Sequence, residues 1–248
     1  MEIIRDLNAL ARHPYPVTAI GNFDGVHLGH RAILKEAIDR ARAGGGTAFA
    51  LTFDPLPAKL LVPARAPRLI LTPDDKLELL RVSGIDGVIV LNFTLDLSML
   101  SPRDFVQDYL CARIGVREVV VGHSVSFGHN RAGNATVMAD LGRQLGFETT
   151  VVGPVKVDGT EVSSTKVREA ITIGDLHRAS RLLGRYHFLS GPVVRGRSAA
   201  VAEGRQGDRV VVRRQERHHV PPHPLASEDA VQENEGFTGA LAKHRGVI

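Results

Sequence analysis

The sequence predicts an α/β fold: a parallel sheet with helices on both faces, followed by a small C-terminal remnant. Three observations predict it. Short apolar runs alternate with amphipathic stretches over about 150 residues, as repeated strand–helix–strand units require. Glycines and N-cap residues stand where the stretches change character. Hydrophobic residues make up 43% of the 248, enough to bury a proper core.

The elements follow in order. Residues 17–21 form an apolar run ending in Gly21, read as a buried strand, and the loop 22–26 leads into a helix over 28–43. Gly44, Gly45 and Gly46 stop that helix, and 47–53 is the next strand. Residues 54–67 carry Pro55, Pro57, Pro63 and Pro67 with no clear period, which predicts a long loop. Thr72 caps a helix that opens on Pro73 and an acidic first turn, runs to Val82 and ends at Gly84. A strand over 87–91, a helix over 101–113 and a strand over 118–122 come next. A loop with Gly128 and Gly133 precedes a helix over 135–145 and a strand over 148–152. Ser163 opens a further helix, and a short one runs from Asp175 to near Gly184. From Gly191 the texture changes, with strand-like pieces at 192–194 and 210–212 embedded in Arg, His, Pro and Glu. The boundary is placed near residue 185, giving units 1–185 and 186–248. Ligands of such sheets sit at the carboxyl ends of the strands, so the loops after Gly21, Phe53 and Gly122 should line one site.

A net charge of +4 suits a protein that handles phosphates without singling out nucleic acid. The C-terminal arginines alternate with Glu203, Asp208, Glu216 and Glu228, which argues against a basic nucleic-acid tail. The single cysteine, Cys111, permits no intrachain disulfide and no Cys-based metal site, and reads as a small buried hydrophobe. Residues 1–16 have no apolar core or cleavage site of a leader peptide, and no apolar run approaches ~20 residues. The expectation is a cytoplasmic protein with no membrane, nucleic-acid or protein partner.

Two segments carry chemistry. Gly21-Asn22-Phe23-Asp24-Gly25-Val26-His27-Leu28-Gly29-His30 lies where a strand ends and a helix begins. Free N–H groups and a partial positive charge at such a helix start favour phosphate. Gly21 and Gly25 let the backbone turn tightly, and Gly29 removes a side chain that would crowd a nucleotide. His27 and His30, three apart, point to one side and can donate to triphosphate oxygens. A metal pair or two plain surface histidines are the competing readings; the metal reading lacks an HExxH arrangement and a third ligand. Asp24 reads equally as a nucleotide-placing residue or a turn residue. In Ser163-Ser164-Thr165-Lys166-Val167-Arg168, the hydroxyls either cap the helix or bind phosphate, with Arg168 as a fixed cation one turn on.

In combination these segments resemble the bacterial riboflavin kinase/FMN adenylyltransferase (FAD synthetase) family, whose adenylyltransferase module is an HxGH nucleotidyltransferase with a Rossmann-like sheet. Residues 162–168 are similar to its Ser-Ser-Thr-x-x-Arg signature. Phe53-Asp54-Pro55-Leu56-Pro57 resembles its Phe-x-Pro-x-Pro loop, and residues 127–133 its flavin-side Phe-Gly-x-x-Arg-x-Gly segment. Residues 182–196 resemble the hinge into the kinase module. The likeness covers residues 17 to 196 in the right order. It implies that the FMN phosphate attacks the α-phosphate of ATP in line, giving FAD and pyrophosphate. It assigns His27, His30, Ser164, Thr165 and Arg168 to catalysis, and Gly21, Asn22, Phe23, Asp24, Gly25 and Gly29 to ATP. Phe53, Pro55, Pro57, Ser124, Phe127 and Arg131 are assigned to FMN. Mg²⁺ is expected with ATP, with no protein ligand named.

The sequence departs from the family pattern twice. Ser124 and Val125 replace an Asn-Phe or Asp-Phe pair, which bears on the metal and FMN contacts. Gly196 is followed by Arg197-Ser198-Ala199-Ala200-Val201, with no Pro-Thr-Ala-Asn anywhere, so residues from about 197 read as a frameshifted or eroded end without riboflavin kinase activity. The rival functions are a nucleotidyltransferase with another phosphate acceptor and a non-catalytic flavin or nucleotide binder. A class I aminoacyl-tRNA synthetase is disfavoured by length and by the absence of a Lys-Met-Ser-Lys-Ser loop.

Overall fold

The computed structural model describes residues 1–192 and the backbone of 209–212. Its centre is a sheet of strands β1 (Glu2–Ile4), β2 (Pro16–Ile20), β3 (Thr47–Asp54), β4 (Gly87–Asn92), β5 (Glu118–Gly122) and β6 (Glu148–Val152). Their spatial order is β1-β4-β3-β2-β5-β6 and every pairing is parallel. The fold is thus the α/β parallel sheet that the sequence predicts. β2 is central, and the chain leaves it towards β3 and β4 before returning to its other side as β5, so β2 and β5 flank the switch point of the sheet.

Helices cover both faces. α1 (Leu28–Ala43) and α3 (Pro73–Val82) pack on one face, joined there by α7 (Ser164–Thr172) and α8 (Leu176–Leu183). The other face holds α5 (Pro102–Phe105) with its π-wound continuation Val106–Ile114, and α6 (Ala135–Leu145). Strand residues alternate between the two cores: Val17, Ala19, Ala48, Ala50, Val88 and Val90 meet the first, while Ile20, Phe49, Leu51, Ile89 and Leu91 meet the second. Because both sides are covered, the strands read as unbroken apolar runs.

The structure differs from the sequence reading in places. β1 is a strand that the sequence analysis did not predict, because three residues at a sheet edge give too little pattern. The proline-rich loop contains α2 (Pro57–Leu61) and a 3₁₀ turn, Pro63–Arg65, both opened by proline at a helix start where no N–H is needed. α4 (Leu95–Met99), capped by Thr94, and the hairpin β7 (Lys156–Val157) to β8 (Thr160–Glu161) are also additional. Cys111 is half-buried against the second core.

Packing of the first core continues beyond residue 185. Phe188 is 7% exposed within it, Arg185 is buried, and Ser190 donates to Asp75. β9 (Leu189–Pro192) pairs antiparallel with β10 (Arg209–Val212). Most of the predicted unit 186–248 lies outside the described residues. Among the described residues no helix is long and apolar enough to cross a membrane.

Candidate active site

The site begins at the junction of β2 and α1. Gly21 continues the ladder by donating to Leu51 O at 3.1 Å, after which the chain turns sharply, with φ of +49° at Phe23, +94° at Gly25 and +40° at Val26. Phe23 and Val26 tolerate these values because both side chains are fully buried in the core, which fixes the loop against the sheet. The buried Phe23 side chain leaves only its backbone towards the loop's open side. The Asn22 side chain is exposed, and its carbonyl accepts the Thr52 hydroxyl at 3.1 Å.

His27 is the N-cap of α1. Its Nδ1 accepts the His30 backbone N–H at 3.2 Å. The two imidazoles stack with centroids 3.7 Å apart, and Phe23 meets His30 edge-on. Burial holds the His27 imidazole down to about 4, with the Arg185 and Arg168 charges adding to the effect against a backbone hydrogen bond. Burial, then the His27, Arg168 and Lys76 charges, holds His30 well below its ordinary value. Both rings are neutral near pH 7. With Nδ1 of His27 accepting, its proton resides on Nε2, which is left as a donor. His30 Nδ1 is buried without a partner. A Cβ on Gly29 would lie 3.2 Å from the His27 ring and 3.5 Å from Val162 O, so this glycine makes room for the imidazole itself.

Asp24 is the structural knot of the loop. It is 3% exposed, accepts the backbone N–H groups of Ile70 and Leu71, and pairs with Arg168. Arg168 also donates to Arg68 O at 2.8 Å. Of the second motif, Ser163 caps α7 by accepting Lys166 N–H, Ser164 donates to Asp24 O at 2.8 Å, and Thr165 is exposed. The two motifs are thus brought together by direct bonds between the Asp24 loop and the first turn of α7. Arg168 spends its charge on Asp24.

The segments expected to face FMN pack against the second core. Phe53 meets Phe93 edge-on at 5.7 Å, the Asp54–Pro55 peptide is cis, and Pro57 is the first residue of α2. α4 touches both α2 and the turn His129–Arg131, so the two loops converge on it. Phe127 and Gly133 close a bridge in which a Cβ on Gly133 would fall 2.7 Å from the Phe127 ring. Arg131 donates to Ser126 Oγ at 3.0 Å and Ser124 is exposed.

Residues 10–166 match the FAD synthetase family. The chain belongs to that family. It is 41% identical over 183 residues to the bifunctional riboflavin kinase/FMN adenylyltransferase of Listeria monocytogenes, covering 73% of this chain and 57% of that protein. The enzyme of the same description from Pseudomonas fluorescens is 37% identical over 202 residues, covering 81% and 64%. That of Escherichia coli K12 is 32% identical over 217 residues, covering 87% and 69%. The chain therefore spans less than two thirds of the first two of these relatives. A crystal structure described as a macrolide-efflux protein from Streptococcus pneumoniae shares the fold, with a TM-score of 0.70 and 27% identity over 78% of this chain and 74% of that one.

Two functional candidates in this FAD synthetase-family chain escaped the sequence analysis. Lys76 is 9% exposed at the carboxyl edge of the sheet, and Arg185 donates to Gly25 O at 2.8 Å from beyond α8. Lys76 had a legible signal: it precedes Leu79 and Leu80 by three and four residues, which puts it on the buried stripe of α3. Arg185 had none, since its partner is 160 residues away. Among the described residues no group of three or more His, Cys, Asp or Glu side chains is placed to hold a metal ion.

Proposed function

We propose that this chain is an FMN adenylyltransferase, transferring AMP from ATP to FMN with release of pyrophosphate. The observation that carries the reading is the neutral, stacked His27–His30 pair at the start of α1, with the Nε2 proton of His27 left to donate. In the proposed reaction an FMN phosphate oxygen bonds to the α-phosphorus, and the bond to the bridging oxygen breaks as pyrophosphate takes the electron pair. His27, His30 and the N–H groups opening α1 donate to the triphosphate as charge builds on the leaving side. Thr165 and the first turn of α7 face the same task, while Ser164, Asp24 and Arg168 hold the loop that carries the histidines. The reaction needs positioning and charge stabilisation and no covalent intermediate. Gly21, Asn22 and Gly25 shape the ATP side. Phe53, Pro55, Pro57, Ser124, Phe127 and Arg131 form the FMN side. Mg²⁺ enters on the ATP phosphates, with no side chain assigned to it.

The test is to supply FMN, ATP and Mg²⁺ and to measure FAD and pyrophosphate. Binding without pyrophosphate release would reduce the chain to a flavin or nucleotide binder. His30→Ala should lower kcat by about 30- to 1,000-fold, the scale of ~2–4 kcal/mol for one transition-state donor. Near wild-type turnover by a folded His30→Ala protein would sink the assignment. The proposal places the protein in the cytoplasm, where both substrates are available. It gives these 248 residues no riboflavin kinase activity, because no Pro-Thr-Ala-Asn sequence occurs in them. Incubation with riboflavin and ATP should yield no FMN.

A further inference from the structure

Lys76 projects from the first turns of α3 to the carboxyl edge of the sheet. Its Nζ donates to Thr52 Oγ1 at 3.1 Å and reaches Phe53 O at 3.5 Å. Both acceptors are neutral. Asp24 and Asp54 are close enough to favour its charge, but Asp24 is bound to Arg168 and two backbone amides, and Asp54 lies 3.8 Å from Arg5. No carboxylate among the described residues pairs with Nζ itself. A buried ammonium held only by neutral oxygens is costly unless an anion completes its shell. Burial pulls this ammonium below its ordinary value, Arg5 adds to that, and the two carboxylates oppose it.

The surroundings point to the anion. Lys76 lines a cleft with Asp24, Phe53, Leu56, Leu71 and Thr72, so it borders the residues on the FMN side. Its charge is also felt by His30, on the ATP side. We propose that the Lys76 ammonium binds the phosphate monoester of the acceptor, holding the attacking oxygens beside the histidine pair. This rests on the adenylyltransferase reading above. Lys76 transfers no proton: it neutralises one of two anions that would otherwise repel as they approach, and it makes the site select a phosphorylated flavin. The competing role is a prop, in which Lys76 merely holds Thr52 under the Asn22 carbonyl.

The experiment compares FMN with riboflavin, each titrated separately into the full chain and followed by flavin fluorescence. Wild type should bind FMN at least about 10-fold more tightly than riboflavin, the least expected of one charge-assisted bond. Lys76→Met should bring that ratio to near one with riboflavin affinity unchanged, and Lys76→Arg should keep most of the preference. Thr52→Val removes the prop and keeps the ammonium, so it should retain the preference. If Lys76→Met does not fold, Lys76→Gln, which keeps a polar side chain without the charge, carries the same comparison. An unchanged ratio in the neutral variant overturns the proposal, as does a variant that weakens ATP alone, since the anion would then be the nucleotide's. Equal wild-type affinity for the two flavins overturns it too. A wild type that binds neither flavin instead removes the adenylyltransferase reading.

Discussion

The Nδ1 atom of His27 accepts the His30 backbone N–H, and that bond decides which nitrogen keeps the proton. A capping residue is thereby also a directed donor. Burial makes the arrangement sensitive to pH. An unfolded chain protonates its histidines near pH 6.5, whereas folded His27 waits until about 4. Above 6.5 both states are neutral and nothing is lost. As the pH falls from 6.5 towards 4 the unfolded state takes up the proton first, so stability drops; the share of His27 is about 3 kcal/mol, and His30 adds in the same direction. Urea unfolding at pH 7.5, 5.5 and 4.5 should show this decline. His27→Asn, which retains a capping acceptor, should flatten it, and an unchanged slope would contradict the neutral buried pair.

At the scale of elements, the site depends on ties between segments far apart in sequence. The Asp24 carboxylate holds the loop after β2 to residues 70–71 and to α7, and the Ser164 hydroxyl adds a second tie to α7. Asp24→Ala should cost about 3–5 kcal/mol, because it strands two amides and a partly buried guanidinium, whereas removal of an exposed pair such as Lys35–Asp39 should cost under about 1 kcal/mol. Chemical denaturation of the two variants checks the contrast. Burial is what separates the pairs: the Asp24 side chain is 4% exposed, the Asp39 side chain 56%.

For the whole molecule, the segment after α8 packs on the core that carries the site. Arg185 donates to Gly25 O, Phe188 fills the first core, and Ser190 reaches Asp75 at the start of α3. A chain shortened to residues 1–184 should lose at least the ~1.5–3 kcal/mol of burying one phenylalanine, together with much of its turnover. One ending at residue 192 keeps all three contacts and should retain more of both. Equal stability of the two, measured by thermal unfolding, would show that the segment is dispensable.

The parallel sheet and its two covered faces were legible in the sequence because apolar runs, glycines and caps act locally: Thr72 and Ser163 each cap the helix they precede. The histidine pair was legible for the same reason, since a spacing of three on a helix start sets its geometry. The roles of Asp24, Arg168, Lys76 and Arg185 were not. Each is defined by a partner 24 to 160 residues away, and a carboxylate in a turn looks alike in sequence whether it meets water, phosphate or a buried arginine. Sequence by itself determined the elements and the chemical inventory of the loop after β2. Only the tertiary structure decided which charges are already spent on one another and which are left for a ligand, because burial and pairing depend on what the rest of the chain brings alongside.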